Sequence, residues 1–218
     1  GGFKADRRLP GERALADHLG VSRSTVRQVL GALAESGLLR RSANRGWFVI
    51  GPGLSEGPNV LRSFTESTQQ RGLAPSSEIL RQVVRPATLD EAETLALAPA
   101  AAVLEIERRR GMDGVPVAID LTCLPLSLFP GLDSMDLTDK SLFEVLSTHY
   151  RLVANRCDYQ VQAEPASDRI ADLLQIAPGS PVLVGYQKTF DQDERPINAG
   201  RVTYRGDAYR FKASLFRP

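Results

Sequence analysis

The chain of 218 residues is nearly neutral, with 27 Lys and Arg residues against 26 Asp and Glu, and 42% of it is hydrophobic. This composition is typical of a globular protein with one large or two small domains, and it excludes a disordered chain or a coiled coil. No apolar run reaches the roughly 18 to 20 residues that span a bilayer, and the N-terminus has no basic-then-apolar signal segment. We therefore expect a cytoplasmic protein without a membrane partner.

The charges are distributed unevenly along the chain. Residues 1–50 hold 9 basic and 4 acidic side chains, a net charge of +5, whereas residues 51–218 hold 18 and 22, a net charge of −4. A small basic part joined to a larger acidic part indicates that the first part meets a polyanion and that the second has another task.

A domain boundary is predicted at residues 51–58, where the segment GPGLSEGP packs three glycines and two prolines into eight residues. Such a segment cannot sustain a helix or a central strand, so we predict a linker there. Domains are then expected at residues 1–50 and 59–218. The second is long enough for a sizeable core, while the first is small for an independent domain.

The first domain is predicted to begin with two helices separated by a tight turn. A helical run from Glu12 to Leu19 is closed by Gly20, and Ser22 is placed to cap a second helix that ends before Gly37. On that second helix, apolar side chains at helical spacing predict one buried stripe, formed by Val26, Val29, Leu30, Leu33 and Ala34.

A β-hairpin with a basic turn is predicted next, with strands at residues 38–41 and 47–50. Helix, turn, helix and hairpin together predict a winged helix-turn-helix. Arg23 and Arg27 lie one turn apart on the second helix, away from the apolar stripe. A helix fits the major groove of DNA and a basic hairpin fits the backbone or minor groove. For either arginine alone a solvated helix face is the alternative, but the joint pattern favours DNA binding.

A series of motifs in register resembles the DNA-binding domain of the GntR family of bacterial transcription regulators: LPGER at 9–13, LA at 15–16, VSRSTVR at 21–27, GLL at 37–39 and RGWFV at 45–49. The resemblance implies that the family's first helix precedes Gly1 and is missing here, and that the partner is double-stranded operator DNA. Trp47 stands where a smaller residue is commoner. The DNA contacts that the resemblance implies are Arg13, Ser22, Arg23, Thr25, Arg27, Arg45 and Gly46.

The second domain contains an internal repeat. When residue n is aligned with residue n+79, eight of the 19 positions from Pro86 to Leu104 are identical. Each copy predicts a short helix, a turn at Ala-Pro and a hairpin, at 103–110 with 115–123 and at 182–190 with 195–205. Two such units predict an α+β domain with a mainly antiparallel sheet.

A pair of arginines is predicted on one face of the first repeated strand. Leu104, Ile106, Arg108 and Arg110 alternate along it, so a row that begins apolar ends in two guanidinium groups suited to a phosphate, sulfate or carboxylate. A surface ladder of salt bridges with the acidic neighbours is the alternative. Two predicted helix starts, at Ser141 and at 63–65, add hydroxyl groups that either cap the helix or bind an anion.

Residues 61 to 217 resemble the UTRA effector-binding domain of the HutC subgroup of GntR regulators, whose fold is like that of chorismate lyase. The motifs are SFTE at 63–66, RG at 71–72, RxRxxDGxP from 108 to 116, LFP at 128–130, SL at 141–142 and YRGD at 204–207 with Phe211. The resemblance implies a small anionic effector, either like a phosphorylated sugar or a carboxylate. The implied effector-binding residues are Ser63, Phe64, Thr65, Arg108, Arg110, Asp120, Ser141, Phe143, Asn198 and Tyr204.

The sugar side of that set departs from the family: Asp120 stands where Glu is usual, Phe143 replaces Tyr and Asn198 replaces Glu. The spacing between Arg108 and Asp120 also carries a structural expectation. A two-residue hairpin turn would direct Asp120 away from Arg108, whereas a three-residue loop at 112–114 places both on one face. We expect the three-residue loop.

Together these patterns predict a homodimeric, ligand-responsive transcription regulator, most simply a repressor, without a cofactor or a bound metal. The alternatives are a constitutive DNA-binding dimer with a ligand-free second domain, or a small-molecule enzyme of chorismate-lyase-like fold. Against an enzyme, His18 and His149 have no partner residues that indicate catalysis, and no phosphate-binding loop or metal motif occurs. The cysteines, Cys123 and Cys157, lie far apart without ligand spacing, so they predict ordinary thiols.

Overall fold

A computed structural model describes residues 9–35, 39–42, 46–49, 54–56 and 61–211. The described residues fall into two compact units. One extends to Ser55 and includes residues 207–211, and the other extends from Glu56 to Gly206.

The first unit has the predicted helix-turn-helix and hairpin. Gly20 adopts the left-handed conformation (φ 67°) that ends the first helix, and its N–H donates to the Ala16 carbonyl. The Ser22 hydroxyl accepts a hydrogen bond from the Thr25 N–H at 3.1 Å, so it caps the second helix as predicted. The elements are α1 (Glu12–Leu19), α2 (Arg23–Glu35), β1 (Leu39–Ser42) and β2 (Gly46–Val49).

The buried stripe of α2 is narrower than predicted. Val26 and Leu30 are buried in a cluster with Leu9, Ala16, Leu39 and Trp47, and Leu33 and Ala34 pack against it. Val29 is 51% exposed, so its predicted burial is wrong. At about 100° per residue it lies roughly 80° from the middle of the stripe, at the edge of the buried face.

The hairpin strands extend one residue nearer the turn than predicted, and their predicted outer ends at residues 38 and 50 lie outside the described residues. Ser42 pairs with Gly46 in the antiparallel ladder of β1 and β2, so both residues belong to strands and not to the turn. The turn itself, residues 43–45, lies outside the described residues. The predicted linker contains a short strand, β3 (Leu54–Glu56), which pairs with β10 (Tyr209–Phe211). Its three residues are those that Gly53 and Gly57 bracket.

The second unit is built on one fully antiparallel six-stranded sheet, so the predicted α+β fold is confirmed. The strand order is β4-β5-β6-β9-β8-β7. Its elements are α3 (Phe64–Gln69), β4 (Pro75–Pro86), α4 (Leu89–Thr94), β5 (Ala102–Met112), β6 (Val115–Pro125), α5 (Leu142–Tyr150), β7 (Arg156–Pro165), α6 (Asp168–Leu174), β8 (Pro181–Phe190) and β9 (Pro196–Arg205).

The internal repeat corresponds to two like halves of this sheet. The offset of 79 residues carries the first residues of α4 and β5, Leu89 and Ala102, onto the first residues of α6 and β8, Asp168 and Pro181. Each half is a strand, a helix and a hairpin, and the halves meet where β6 pairs with β9. The predicted helix and hairpin of each copy are confirmed, while the preceding strands β4 and β7 were not predicted.

Apolar side chains cover both faces of the sheet. On one face, Leu104 and Ile106 of β5 pack against α5 and the segment 126–137 that precedes it. On the other face, α4 packs over Val103 and Cys123, and α6 packs over Ile119 and Val184. Arg108 and Arg110 therefore lie on the same face of β5 as Leu104 and Ile106, which pack under α5. In the part of the chain that the structure describes, no helix is long and apolar enough to cross a membrane.

A partly buried polar network lies beneath α4. Arg85 donates to both carboxylate oxygens of Glu91 at 2.7 and 2.6 Å and to Glu105 at 2.7 Å. The Cys123 thiol donates to Glu91 Oε1 at 3.1 Å. Burial raises the pKa of Cys123 to about 12, and the hydrogen bond to Glu91 acts in the same direction. Arg85, by its hydrogen bonds, lowers the pKa of Glu91 to about 2.

We expect the two thiols to differ in reactivity, because alkylation requires an accessible thiolate. At pH 8 iodoacetamide should label the half-buried Cys157 in the native protein, while the buried Cys123 should be labelled only after urea unfolding. Mass spectrometry of the two tryptic peptides measures this. Equal labelling of both thiols in the native protein would contradict this polar network.

Candidate functional sites

The outer surface of the helix-turn-helix carries the predicted DNA contacts. Arg13 lies on α1, and Arg23, Thr25 and Arg27 lie in the first turns of α2, all of them exposed. The Ser22 hydroxyl, also exposed, lies 2.7 Å from Ser24 Oγ and 2.8 Å from Thr25 Oγ1, in addition to capping α2. Gly46 opens β2, and Arg45 lies outside the described residues.

A carboxylate on α1 holds Arg27, one of the predicted DNA contacts. Arg27 donates to Glu12 Oε2 through Nε at 3.1 Å and through Nη2 at 2.9 Å. The indole N–H of Trp47, in β2, donates to the other oxygen of Glu12 at 3.3 Å. Because the Arg27 side chain is still 64% exposed, its guanidinium is oriented without being buried. Glu12 was not among the predicted residues, since 15 and 35 residues separate it from its partners and no local pattern marks such contacts.

The two arginines of β5 are almost completely buried. Arg108 is 2% exposed and Arg110 is 5% exposed, and both lie on the face that also carries Leu104 and Ile106, so the predicted alternation is confirmed. They do not form the alternative surface ladder. Glu105 pairs with Arg81 and Arg85, and Glu107 pairs with Arg169.

Asp120 on β6 is the carboxylate that the two arginines share. Its Oδ2 accepts from Arg108 Nη2 at 2.6 Å and, more weakly, from Arg110 Nη2 at 3.3 Å. Its Oδ1 accepts from the Thr122 hydroxyl at 3.0 Å. Burial alone would raise the pKa of Asp120, but the charges of Arg108 and Arg110 outweigh it and hold this pKa below its ordinary value. The group therefore carries one net positive charge at neutral pH.

The expected three-residue hairpin loop is wrong, although Asp120 does lie on the expected face. Met112 pairs with Val115, which leaves the two-residue turn Asp113-Gly114, with φ of 48° and 78° as in a type I′ turn. The ladder then shifts, because Gly111 pairs with Pro116 and Arg110 pairs with Ala118. The extra residue between those partners, Val117, is a β-bulge that returns Asp120 to a position opposite Arg108.

Several donors of the arginine pair have no acceptor. Within the part of the chain that the structure describes, Arg108 Nε, Arg108 Nη1 and Arg110 Nη1 are buried without a hydrogen-bond partner. Burial and the neighbouring charge of Arg108 together lower the pKa of Arg110 to about 10, although Asp120 opposes both effects. Buried donors without acceptors are rare in native proteins, which makes this group a candidate anion site.

The starts of α3 and α5 carry further predicted site residues, and the start of α3 borders the arginine pair. The Phe64 ring, at the start of α3, lies 5.3 Å from the Arg110 guanidinium carbon, a cation–π distance. Ser63 caps α3 by accepting from the Glu66 N–H, while Glu66 accepts from the Ser63 N–H, so this hydroxyl has an ordinary capping role. The buried Ser141 hydroxyl caps α5 through a longer bond of 3.4 Å to the Glu144 N–H.

The remaining predicted residues lie at different distances from the arginines. Tyr204 is buried on β9 and pairs with Ala118, which pairs with Arg110, so the three form a row across the sheet. Asn198 is buried on the same face of β9. It lies four residues, about 13 Å along the strand, from Val202, which pairs with Asp120. Thr65 and Phe143 are half-buried in the first turns of α3 and α5.

Among the described residues, no group of three or more His, Cys, Asp and Glu side chains is arranged to hold a metal ion. His18 and His149 are both exposed in the last turns of their helices.

Comparisons with known proteins match both parts of the chain. Residues 1–49 match the model of the bacterial regulatory proteins of the gntR family, and residues 70–210 match that of the UTRA domain. The HTH-type transcriptional repressor NagR of Bacillus subtilis is 30% identical over 211 residues, which cover 97% of this chain and 86% of that protein.

The mannosyl-D-glycerate transport/metabolism system repressor MngR of Escherichia coli is 28% identical over 97% of this chain and 88% of its own length. Among solved structures, that of PhnF from Mycobacterium smegmatis superposes with a TM-score of 0.84 at 28% identity, covering 100% of this chain and 95% of that chain.

Removal of the shared carboxylate should destabilise the protein strongly. We expect Asp120→Asn to lower the free energy of unfolding by roughly 3 to 5 kcal/mol, because it leaves two buried guanidinium groups without a counter-charge. Urea titration measures the loss. Asp158→Asn is the matched control, since its exposed pair with Arg156 should contribute less than about 1 kcal/mol. Equal losses in the two variants would contradict a charge-dependent core.

Proposed function

We propose a function from one premise: the chain belongs to the GntR family of bacterial regulatory proteins, and it carries a UTRA domain behind its DNA-binding domain. It is a transcription regulator and not an enzyme. We propose that it is a homodimeric repressor in the cytoplasm whose affinity for operator DNA changes when a small anion binds the second domain. The division proposed is DNA binding by residues 1–50, a linker at 51–58, and effector binding and dimerisation by 59–218.

The chemistry of the helix-turn-helix supports base recognition by α2. Arg23 and Arg27 project from the first turns of a helix whose opposite face is buried, and a guanidinium can donate two hydrogen bonds to one guanine. Arg13, Ser22 and Thr25 are suited to phosphate or base contacts from the same surface. Gly46 lets the wing backbone approach the DNA, and Arg45 is proposed as the wing contact. In a C2 dimer, two such heads fit a palindromic operator.

One observation carries the effector proposal: the buried arginine pair keeps one net positive charge and three nitrogen atoms without acceptors. Such donors need an acceptor-rich anion, and a tetrahedral phosphate has more acceptor oxygens than a carboxylate. Phe64 lies beside Arg110, and we propose that Ser63, Thr65 and Ser141 complete the surroundings of the charged end of a phosphorylated sugar.

The other end of the ligand is proposed to lie toward Tyr204, Asn198 and Phe143. Asn198 Oδ1 is buried without a partner among the described residues, so it can accept a hydrogen bond from a ligand hydroxyl or amine. The relative MngR is a repressor of a mannosyl-D-glycerate system, which makes sugars with a carboxylate the second class of probe.

Replacement of Arg23 should weaken specific DNA binding. We expect Arg23→Ala to cost roughly 1 to 3 kcal/mol at sites selected from a random DNA library, with a smaller effect on non-specific DNA. Fluorescence anisotropy at fixed salt measures both affinities. Arg169→Ala, which removes an exposed arginine of the second unit, is the control for net charge. If both variants bind the selected sites as the wild type does, Arg23 does not read bases.

Replacement of Arg110 should remove the effector response. Arg110→Met keeps the length and apolar stem of the side chain, and it leaves the 2.6 Å pair of Arg108 with Asp120 intact. Wild-type DNA affinity should change about 5- to 150-fold with the effector, the range of typical allosteric coupling, and the variant should bind DNA with no such change.

Thermal-shift titrations with glucosamine 6-phosphate, inorganic phosphate and sugar acids identify the effector class, because a ligand raises stability as its concentration exceeds Kd. The control is Arg109→Met, the adjacent arginine on the opposite face, which pairs with Glu78 at the surface. A retained response in Arg110→Met would remove the arginine pair from the effector site.

A further inference from the structure

A serine of β4 lies beside the arginine pair and is absent from the predicted set. Ser77 pairs with Arg110 across the β4–β5 ladder, so the two side chains leave the sheet on the same face. Ser77 is 3% exposed, and its hydroxyl has no hydrogen-bond partner within the described residues. Its neighbour Ser76 is exposed and belongs to the opposite face.

The other side of Ser77 is joined to the segment that leads into α5. The Ser77 N–H donates to Asp139 Oδ1 at 2.7 Å, and the Asp139 N–H donates to the Ser77 carbonyl at 2.9 Å. Asp139 has a left-handed backbone (φ 54°) and precedes Ser141 by two residues. Ser77 therefore lies between the strand of Arg110 and the helix start at Ser141.

The unused hydroxyl is unusual among its neighbours. On the same face, Thr122 donates its hydroxyl to Asp120, and in α3 the buried Thr68 donates to the Phe64 carbonyl at 2.8 Å. A buried hydroxyl without a partner is unfavourable, and its occurrence in a native fold calls for an explanation. Here the nearest cross-strand neighbour, Arg110, also has a buried donor without an acceptor. One acceptor-rich ligand satisfies both.

We propose that Ser77 is a further ligand of the effector's anionic group and donates its hydroxyl hydrogen to an oxygen that the arginine pair also holds. This inference rests on the proposed function, because it requires an anion at Arg108 and Arg110. It adds a neutral, directional donor on the β4 side of the pocket, opposite Asp120. Such a donor fixes the orientation of the anion, whereas the guanidinium charges supply attraction.

A separate surface cavity of about 270 Å³ also touches this residue. Its lining includes Ser76, Ser77, Thr138 and Asp139 but neither Arg108 nor Arg110. It is therefore a different place from the anion site proposed at the arginine pair, and an anion bound there would contact Ser76 as well as Ser77. Comparison of the two serines distinguishes the two places.

The test is the affinity of the full chain for inorganic phosphate, measured by calorimetry and by thermal shift. We expect Ser77→Ala to weaken phosphate binding about tenfold, the size of one hydrogen bond to a charged group, without loss of stability in the absence of phosphate. Ser77→Cys should lose as much, because a thiol of similar size is a weak donor. Ser76→Ala should bind phosphate as the wild type does.

The outcomes separate this inference from the proposed function. One outcome is that phosphate binds the wild type and Ser77→Ala equally well but does not bind Arg110→Met. In that case Ser77 is not a ligand, and the proposed anion site at the arginine pair is retained. Equal losses in Ser76→Ala and Ser77→Ala would overturn the assignment by placing the anion in the surface cavity. Wild-type binding by Ser77→Cys would show that hydrogen bonding by the hydroxyl is not the cause. Absence of phosphate binding in the wild type would overturn this inference and the proposed preference for phosphate. Regulation by a carboxylate effector is tested separately by the titrations with sugar acids.

Discussion

Arg108, Arg110 and Asp120 meet in the interior of the second unit, and the function proposed for that unit depends on their charges. Two guanidinium groups lose their hydration there, which is unfavourable unless a counter-charge and hydrogen bonds replace it. Asp120 neutralises one charge and uses its second oxygen on Thr122. One guanidinium charge has no counter-charge, and three buried nitrogen atoms of the two arginines have no acceptor among the described residues. An incoming anion would complete an arrangement that the protein alone leaves incomplete, and binding and stability are then linked through the same three side chains.

The internal repeat shows that the backbone does not by itself create this site. In the second half of the sheet, Gln187 and Thr189 of β8 stand 79 residues after Arg108 and Arg110. Gly200 faces Gln187 across the ladder, as Asp120 faces Arg108. A side chain at Gly200 would lie 2.5 Å from the Leu121 carbonyl oxygen, so this position has no room for a carboxylate. The halves share strands, helix and hairpin, but only the first carries a pair of buried arginines.

Local and long-range determinants explain which predictions succeeded. The helices and their caps at Gly20, Ser22, Ser63 and Ser141 depend on neighbouring residues, and the sequence predicts them. The face shared by Arg108 and Arg110 follows from strand alternation. The position of Asp120 depends on a bulge at Val117, which replaces the expected longer loop and has no local signature.

Most contacts between distant segments left no pattern in the sequence. Glu12 meets Arg27 and Trp47, and Ser77 meets Asp139, only because packing brings their elements together. Strand β4 also escaped prediction, since it is an edge strand with an irregular register near Leu80 and a mixed burial pattern. The chemistry of the candidate sites was therefore more visible in the sequence than the supports that orient it.

The two arginine sites differ in how an anion can enter them. Arg27 is mostly exposed, and its pair with Glu12 is of the kind that contributes about 0 to 1 kcal/mol, so a DNA phosphate or base can replace the carboxylate at little cost. Arg108 is buried against Asp120 at 2.6 Å, and breaking that pair would strand a charge in the interior. In the proposed site an effector anion would therefore add to the pair and use the donors that Asp120 leaves unoccupied. The two sites should also differ in their sensitivity to salt, because salt weakens exposed charge contacts with DNA much more than contacts between buried charges.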